Sequence, residues 1–224
     1  FLVTFVVSEF SYGVANKVTL DIGLGTLSLS VVGIALFLGA TLLEKEISSR
    51  TLYMIISRPV SRMNFLFGKL LGLAGILLVN VLVLFFILYG FYVTLGGQFN
   101  YLIPWALFYI YLESLIVMLI VVFFSLVSNN IIAVFVTLTL FASGHGVESV
   151  KDTMAYKVNP LIKAFVDYYS YVLPNFTKLN IKTFVLYERF IENSYLVSAF
   201  FYGFLWVGFF LGLSTIVFSK KEFS

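Results

Sequence analysis

Cysteine is absent from the 224-residue sequence, histidine occurs once, and charged residues make up only 11% of the chain. Without cysteine the chain can form neither a disulfide bond nor a thiolate metal site, and it has no cysteine nucleophile. His145 alone is too little for a zinc site, which normally takes several protein ligands. A phosphate-binding loop is also lacking, because Met63 stands where a glycine should precede Gly68-Lys69. We therefore expect no catalytic residue, no metal site and no cofactor in this chain, and we predict that it is not itself an enzyme.

Hydrophobic residues, by contrast, make up 61% of the chain, against roughly 45–50% in an average soluble domain. A soluble protein of this size could not hide so much apolar surface from water, so the composition predicts an integral membrane protein. The net charge is only +3, and no cluster of basic residues has the spacing of a nucleic-acid-binding surface. We therefore expect lipid around the chain and no nucleic acid among its partners.

Five stretches are apolar enough to cross a bilayer as helices, which takes about 20 residues. They are 25–43, 70–95, 105–127, 129–145 and 195–218. Each must be helical, because backbone polar groups find no water to bond in lipid. Phe1–Val7 is apolar but too short, and we interpret it either as the outer end of a further span or as a frayed interfacial segment. The prediction is an all-α polytopic protein with one membrane domain over 1–224 and six spans expected in the complete chain.

Basic residues predict which side of the membrane each connection faces, because short cytoplasmic loops are enriched in lysine and arginine. Five basic residues lie in the connection 44–69, and two more, Lys220 and Lys221, lie in the C-terminal tail, whereas the hairpin 96–104 has none. This pattern places 44–69 and the tail in the cytoplasm and the segment 146–194 outside. We expect a protein of the inner (plasma) membrane whose complete chain has both termini in the cytoplasm.

The outer segment 146–194 contains one stretch with helical periodicity, Pro160–Leu173. Its apolar residues recur at helical spacing, and Pro174 follows the last of them. The residues that carry the pattern are Ile162, Phe165, Val166, Tyr169 and Val172. Two placements fit this predicted amphipathic helix. It lies either on the outer membrane surface, where clustered tyrosines suit the headgroup zone, or against the transmembrane bundle.

Two strongly polar side chains interrupt the predicted spans, Asn80 and Glu113. Glu113 lies eight residues inside its span, which is about 12 Å along the helix from Trp105. A charged group near the middle of a bilayer costs roughly 2.5–3.5 kcal/mol, so it usually faces the bundle interior or a wet cavity. Two interpretations of Glu113 stay open: a pathway or proton-linked residue, or a protonated carboxyl group hydrogen-bonded to Asn80 or to a tyrosine.

Small residues four positions apart let membrane helices approach closely. The sequence has three such pairs, Gly68/Gly72, Gly208/Gly212 and Ala35/Gly39. Each pair serves either packing within the chain or a seam between two chains.

The connection 44–69 predicts a bent helical segment at the inner membrane surface. Its first part continues the preceding helix, and its apolar run Leu52–Ile56 is too short to cross the bilayer. Pro59 ends the helix and disfavours α geometry at Arg58, after which Ser61 can cap the next helix. Acidic and basic residues around an apolar centre suit a protein-docking surface better than anionic lipid, which would favour basic residues alone.

The run Glu44–Lys69, which reads EKEISSRTLYMIISRPVSRMNFLFGK, resembles the first cytoplasmic loop of ABC-type export permeases with six spans per subunit. The shared pattern is an acidic start, Arg-Thr-Leu, a proline flanked by arginine, and Gly-Lys opening the next span. The resemblance implies that the bend is the coupling helix that contacts a separate ATPase subunit. The contact residues would be Glu44, Glu46, Arg50, Thr51, Leu52, Arg58, Pro59 and Arg62.

The same resemblance implies a transporter of two permease chains, identical or different, and two cytoplasmic ATPase subunits, which bind ATP and magnesium. ATP hydrolysis would then drive export or conformational work across the membrane, with the pathway at the seam between the permeases. Two other classes stay open: a secondary transporter that needs no motor, and a membrane scaffold whose outer segment binds an extracytoplasmic protein. A secondary transporter often shows repeated halves and several buried ionisable groups, whereas this sequence has no visible repeat.

Overall fold

The computed structural model describes residues 15–48, 62–187 and 190–220. Within these ranges the chain forms eight α-helices and one 3₁₀ helix, and the described residues contain no β-strand. The predicted all-α class is therefore confirmed. The elements are α1 (Ala15–Ser48), α2 (Arg62–Thr94), α3 (Leu102–Val127), α4 (Asn130–Lys151), α5 (Met154–Val158), α6 (Pro160–Val172), the 3₁₀ helix (Phe176–Leu179), α7 (Lys182–Leu186) and α8 (Asn193–Lys220).

Five of these helices, α1, α2, α3, α4 and α8, are long and apolar enough to cross a membrane. They correspond to the five predicted stretches and extend beyond them. α1 begins at Ala15 rather than at residue 25, and α2 begins at Arg62 rather than at residue 70. Lysine near a helix end can keep its charge in water while its apolar stem lies along the helix, so charged residues do not stop a membrane helix at its ends. Phe1–Val7 lies outside the described residues.

α3 is the central helix and packs against α1, α2, α4 and α8. In its most apolar part 72% of the residues are buried, compared with 17% in α2. Residues on every side of α3 are buried, among them Ile116, Val117, Ile120 and Val121. A helix that is apolar all round and buried all round forms the centre of a bundle.

The two ends of the bundle differ in their connections. The outer end is defined here by the α2–α3 hairpin, residues 95–101, where a cavity of about 500 Å³ also touches the start of α1 at Asn16 and α7 at Val185. The inner end is defined by Ser48, Arg62 and the short turn between α3 and α4, where Asn129 caps α4 by accepting a hydrogen bond from the Ile132 amide. Gly96 has φ +80° in the outer hairpin, a conformation that glycine adopts without strain.

Only one of the three small-residue pairs packs within the described chain. A Cβ atom on Gly39 would lie 2.2 Å from Val121 Cγ1 and 3.0 Å from the Met118 carbonyl oxygen, so α1 and α3 touch closely there. Ala35, one turn away, is fully buried. For the other two pairs, Gly68/Gly72 and Gly208/Gly212, an added Cβ would meet no atom within 4 Å.

The segment after α4 divides into two parts with different surroundings. α5 and α6 form a helical hairpin on the outside of α4, and α6 begins at Pro160 after Asn159, whose side chain accepts a hydrogen bond from the Leu161 amide. This agrees with the predicted amphipathic helix. The following residues 174–186, called the plug here, instead enter the bundle and contact α1, α3, α4 and α8. Its buried apolar side chains are Phe176, Leu179, Ile181 and Val185.

The plug differs from the prediction, in which 146–194 forms one outer segment. Irregular backbone is tolerated within a membrane bundle only where protein or water covers its polar groups. In the plug, the Asn175 and Asn180 side chains accept hydrogen bonds from the nearby amides of Thr177 and Lys182. Short local bonds of this kind let a non-helical segment enter an apolar bundle.

Candidate functional site

Glu113 is the buried acid of the bundle, with only 1% of its surface exposed. Its partner is His145 of α4, whose Nε2 lies 2.5 Å from the Glu113 Oε1 atom. The predicted partner, Asn80 or a tyrosine, was therefore wrong. Ionisable side chains within membrane segments usually pair with one another, and the pair satisfies this requirement for a carboxyl group far from water.

Asn80, the other polar residue singled out in the spans, lies apart from this pair. Its side-chain amide donates a hydrogen bond of 3.0 Å to the Ile76 carbonyl oxygen of its own helix α2. It is only partly buried. The structure therefore does not bring Asn80 and Glu113 together. The signal that could have paired Glu113 correctly is that His145 ends a predicted span and is the single imidazole of the chain.

His145 joins the buried acid to the plug. Its ring lies between Phe141, at 4.7 Å with edge-on geometry, and Phe176 of the plug, at 5.7 Å with stacked geometry. The His145 carbonyl oxygen accepts a hydrogen bond of 3.1 Å from the Thr177 hydroxyl. One residue therefore contacts α3 through its imidazole nitrogen and the plug through its ring and backbone.

Further charged groups lie around Glu113. Lys182 of the plug interacts electrostatically with Glu113 and with Asp21 of α1. Burial removes water from the Lys182 ammonium group and lowers its pKa below the usual value, while the two carboxylates act in the opposite direction. The outer half of the bundle thus gathers two acids, one histidine and one lysine from four different elements.

A second set of contacts holds the start of the plug. The Asn175 amide donates a hydrogen bond of 2.7 Å to the Tyr202 hydroxyl, and the Asn175 side chain donates one of 2.7 Å to Glu148. Glu148 also accepts a hydrogen bond of 3.0 Å from Lys151. Gly144 allows this arrangement, because a Cβ atom there would lie 2.5 Å from the Pro174 carbonyl oxygen. The plug is therefore fixed by α8 and by several residues of α4, including His145.

The exposed face of α1 has an unusual composition for a membrane helix. Thr26, Ser30 and Gly33 are exposed on one side of it, where the apolar Phe37 is exposed as well. Asp21 is also exposed, but it lies nine residues before Ser30 and therefore on the opposite side of the helix. Ionisable and hydroxyl side chains facing hydrocarbon are costly, so they normally face other protein or a water-filled cavity. The sequence carries little signal for this face, because isolated Ser, Thr and Gly residues barely lower the hydropathy of a span.

The predicted coupling residues lie at the inner end or outside the described residues. Glu44 and Glu46 belong to the last turns of α1, and Arg62 begins α2. The remaining five, Arg50, Thr51, Leu52, Arg58 and Pro59, lie outside the described residues. α1 has 34 residues and α2 has 33, so each is about 50 Å long, well beyond the hydrocarbon thickness of about 30 Å.

The chain matches the family described as "ABC-2 family transporter protein" over residues 13–223. No curated protein and no solved structure matches it. Because the family match covers nearly the whole chain, the chain belongs to the ABC-2 family of membrane transport permeases.

Proposed function

We propose that this ABC-2 permease is driven by a separate cytoplasmic ATPase, which binds ATP and magnesium and couples the hydrolysis of ATP to export or to conformational work. The observation that carries the proposal is the length of the packed helices α1 and α2, each of which exceeds the hydrocarbon core of a bilayer by about 20 Å. Their inner ends, residues 40–48 and 62–70, are called the stalk here. Between them lies the segment 49–61, with the proposed contact residues Arg50, Thr51, Leu52, Arg58 and Pro59.

The stalk can transmit movement because it is packed. Leu66 and Leu70 of α2 and Ala40 of α1 are all buried in the main core. A docked ATPase that shifts the segment 49–61 would therefore move two helices as one body, including Glu44, Glu46 and Arg62 on their ends. Such contacts drive transport only if they differ between the states of the motor.

A second permease chain, identical or different, is the proposed cover for the polar face of α1. The face carries Thr26, Ser30 and Gly33 and would line a pathway between two chains. This arrangement satisfies polar groups that lipid cannot solvate. A pathway that includes hydroxyl groups admits cargo with polar groups.

Orientation follows from the charge pattern. We propose that the stalk and Lys220 face the cytoplasm and that the plug faces outside, in an inner (plasma) membrane. The complete chain would then have both termini inside.

Reconstitution of the permease with its ATPase tests the proposal. Arg50→Glu and Pro59→Ala should insert normally but lose most of the transport-linked ATPase activity, because one reverses a contact charge and the other changes the bend. Lys220→Glu is the matched control, since it reverses a charge at the same membrane side but outside the stalk. Wild-type coupling in both Arg50→Glu and Pro59→Ala would contradict the proposed contact, and failure of the chain to bind any ATPase would contradict the function.

A motor-independent secondary transporter is a second candidate, favoured by the Glu113–His145 pair within the bundle. Proton-linked carriers place acids and histidines inside membrane segments. The purified chain alone would then move cargo into liposomes along an imposed proton gradient, and Glu113→Gln would abolish that movement. Transport that requires the ATPase would exclude this candidate.

A further inference from the structure

One surface of the α5–α6 hairpin stays uncovered although it is apolar. Along α6 the side chains at positions i, i+4, i+7 and i+11 form the exposed stripe, with exposed fractions of 81%, 69%, 69% and 48%; its members are Leu161, Phe165, Tyr168 and Val172. α5 adds Met154 and Val158, which are 78% and 77% exposed. Helical spacing puts the four residues of α6 on one side of the helix.

The opposite side of α6 packs against α4. Val166 is buried there, with 7% of its surface exposed, and the Tyr169 hydroxyl is hydrogen-bonded to the Ser143 hydroxyl. The two placements predicted from the sequence are therefore not alternatives for the same surface. The packed side touches the bundle, and the exposed stripe needs a different environment.

The contact with Ser143 sets the depth of α6. Ser143 lies 13 residues after Asn130, the first residue of α4, which is about 20 Å along the helix axis. The hydrocarbon core of a bilayer is about 30 Å thick. If α4 starts at the inner boundary, Ser143 lies about 10 Å below the outer boundary, so α6 runs beside α4 close to the level of the lipid.

The charged residues of the α5–α6 hairpin are compatible with a position near the headgroups. Asp167 is partly buried and accepts a hydrogen bond of 2.8 Å from the Tyr156 hydroxyl. Lys157 and Lys163 are exposed. Lysine can place its ammonium group at the headgroups while its stem follows apolar surface, and tyrosine is favoured at the same interface.

We propose that the exposed stripe of α6 is embedded in the outer leaflet of the bilayer. The hairpin then holds the bundle on one side and lipid on the other. Because Leu173 directly connects α6 to the plug, the lipid contact also positions Asn175 and Phe176 against α4. The assignment of the stripe to the outer leaflet rests on the proposed orientation, whereas its contact with lipid does not.

Spin labels can test the placement directly, because the chain has no cysteine of its own. Leu161→Cys and Phe165→Cys would carry a nitroxide in the complete chain in lipid nanodiscs. Phe86 of α2 is 67% exposed, and Phe86→Cys is the lipid reference. Glu192 is also exposed, and Glu192→Cys is the water reference. Power saturation with oxygen and with a water-soluble nickel complex gives an accessibility ratio for each site.

Lipid embedding requires that Leu161→Cys and Phe165→Cys share the high oxygen-to-nickel ratio of Phe86→Cys, several-fold above that of Glu192→Cys. Nickel access equal to that of Glu192→Cys would place the stripe in water and overturn the proposal. Immobile labels that neither reagent reaches would assign the stripe to a protein partner and also overturn it. Labelling Glu192→Cys in cells with an impermeant maleimide reports the side separately, and none of these readouts depends on an ATPase.

Discussion

The exposed faces of α1 and α2 cross the same bilayer but differ in how many polar residues they carry. On α2 the exposed side chains include Leu71, Val79 and Phe86, with exposed fractions of 70%, 59% and 67%. On α1 the exposed positions include Thr26 and Ser30, beside the apolar Leu29 and Phe37. Lipid is a sufficient solvent for the first face and a poor one for the second. The comparison indicates that the exposed face of α2 contacts lipid and that the polar face of α1 borders a polar or protein-covered space.

The largest effect is expected where charge is forced onto each face at the same depth. Val79 and Ser30 both lie 15 residues from the outer end of their helix, at Thr94 and Ala15 respectively. Val79→Asp should cost roughly 2.5–3.5 kcal/mol of insertion free energy, as expected for a carboxylate in hydrocarbon. Ser30→Asp should cost clearly less, because its face already holds polar groups. A membrane insertion assay measures both, and equal losses would remove the distinction between the two faces.

The next-largest effect is expected when a side chain is added to the buried Gly39 of α1, compared with Gly72 of α2, which has open space beside it. Gly39→Val should destabilise the bundle by about 1–3 kcal/mol, because Val121 and the Met118 backbone leave no room for a side chain. Gly72→Val is the matched control and should leave thermal unfolding in detergent nearly unchanged, since no atom lies nearby. If Gly72→Val instead dissociated a dimer, the glycines of α2 would form the seam between the chains, and α1 would not be the helix that a second chain covers.

A third pair of variants compares the polar residues within the two types of helix. Glu113→Leu should lower the free energy of unfolding by about 1–3 kcal/mol, because it leaves His145 without its buried partner. Asn80→Leu should change it by about 0.5 kcal/mol or less, because Asn80 bonds only its own helix in the contact described above. Chemical denaturation in detergent checks both values. Similar losses in the two variants would show that Asn80 has a structural role beyond that hydrogen bond.

The smallest effect concerns pH. The pKa of Lys182 is lowered by burial, so the folded state binds its proton less tightly than the unfolded state does. Stability should therefore rise as pH increases from the lowered pKa toward the usual lysine pKa of 10.5. Unfolding measured across alkaline pH should show this rise in the wild type and lose it in Lys182→Met. Asp21→Asn should enlarge the rise, because it removes one carboxylate that supports the charged lysine; a flat profile in the wild type would contradict the account.

Much of the helical architecture was predictable because its causes are local. The five long apolar stretches and the cap and proline around α6 lie within short windows of sequence. The plug was not predictable in the same way. Phe176, Leu179, Ile181 and Val185 follow no clean helical or strand period, and what buries them is contact with helices far away in the chain. The same reason hid the Glu113–His145 pair, whose members are 32 residues apart.

The sequence alone therefore determined that this is an integral membrane protein, that it is helical in the membrane, and where along the chain the long helices lie. The tertiary structure alone decided which helix is central and which faces outward. α2 and α3 have similar hydropathies of 2.8 and 2.6, yet 17% of one and 72% of the other are buried in their most apolar parts. In water a hydrophobic face marks the inside of a protein. In lipid the hydrophobic effect no longer separates inside from outside, so packing and polar partners decide it.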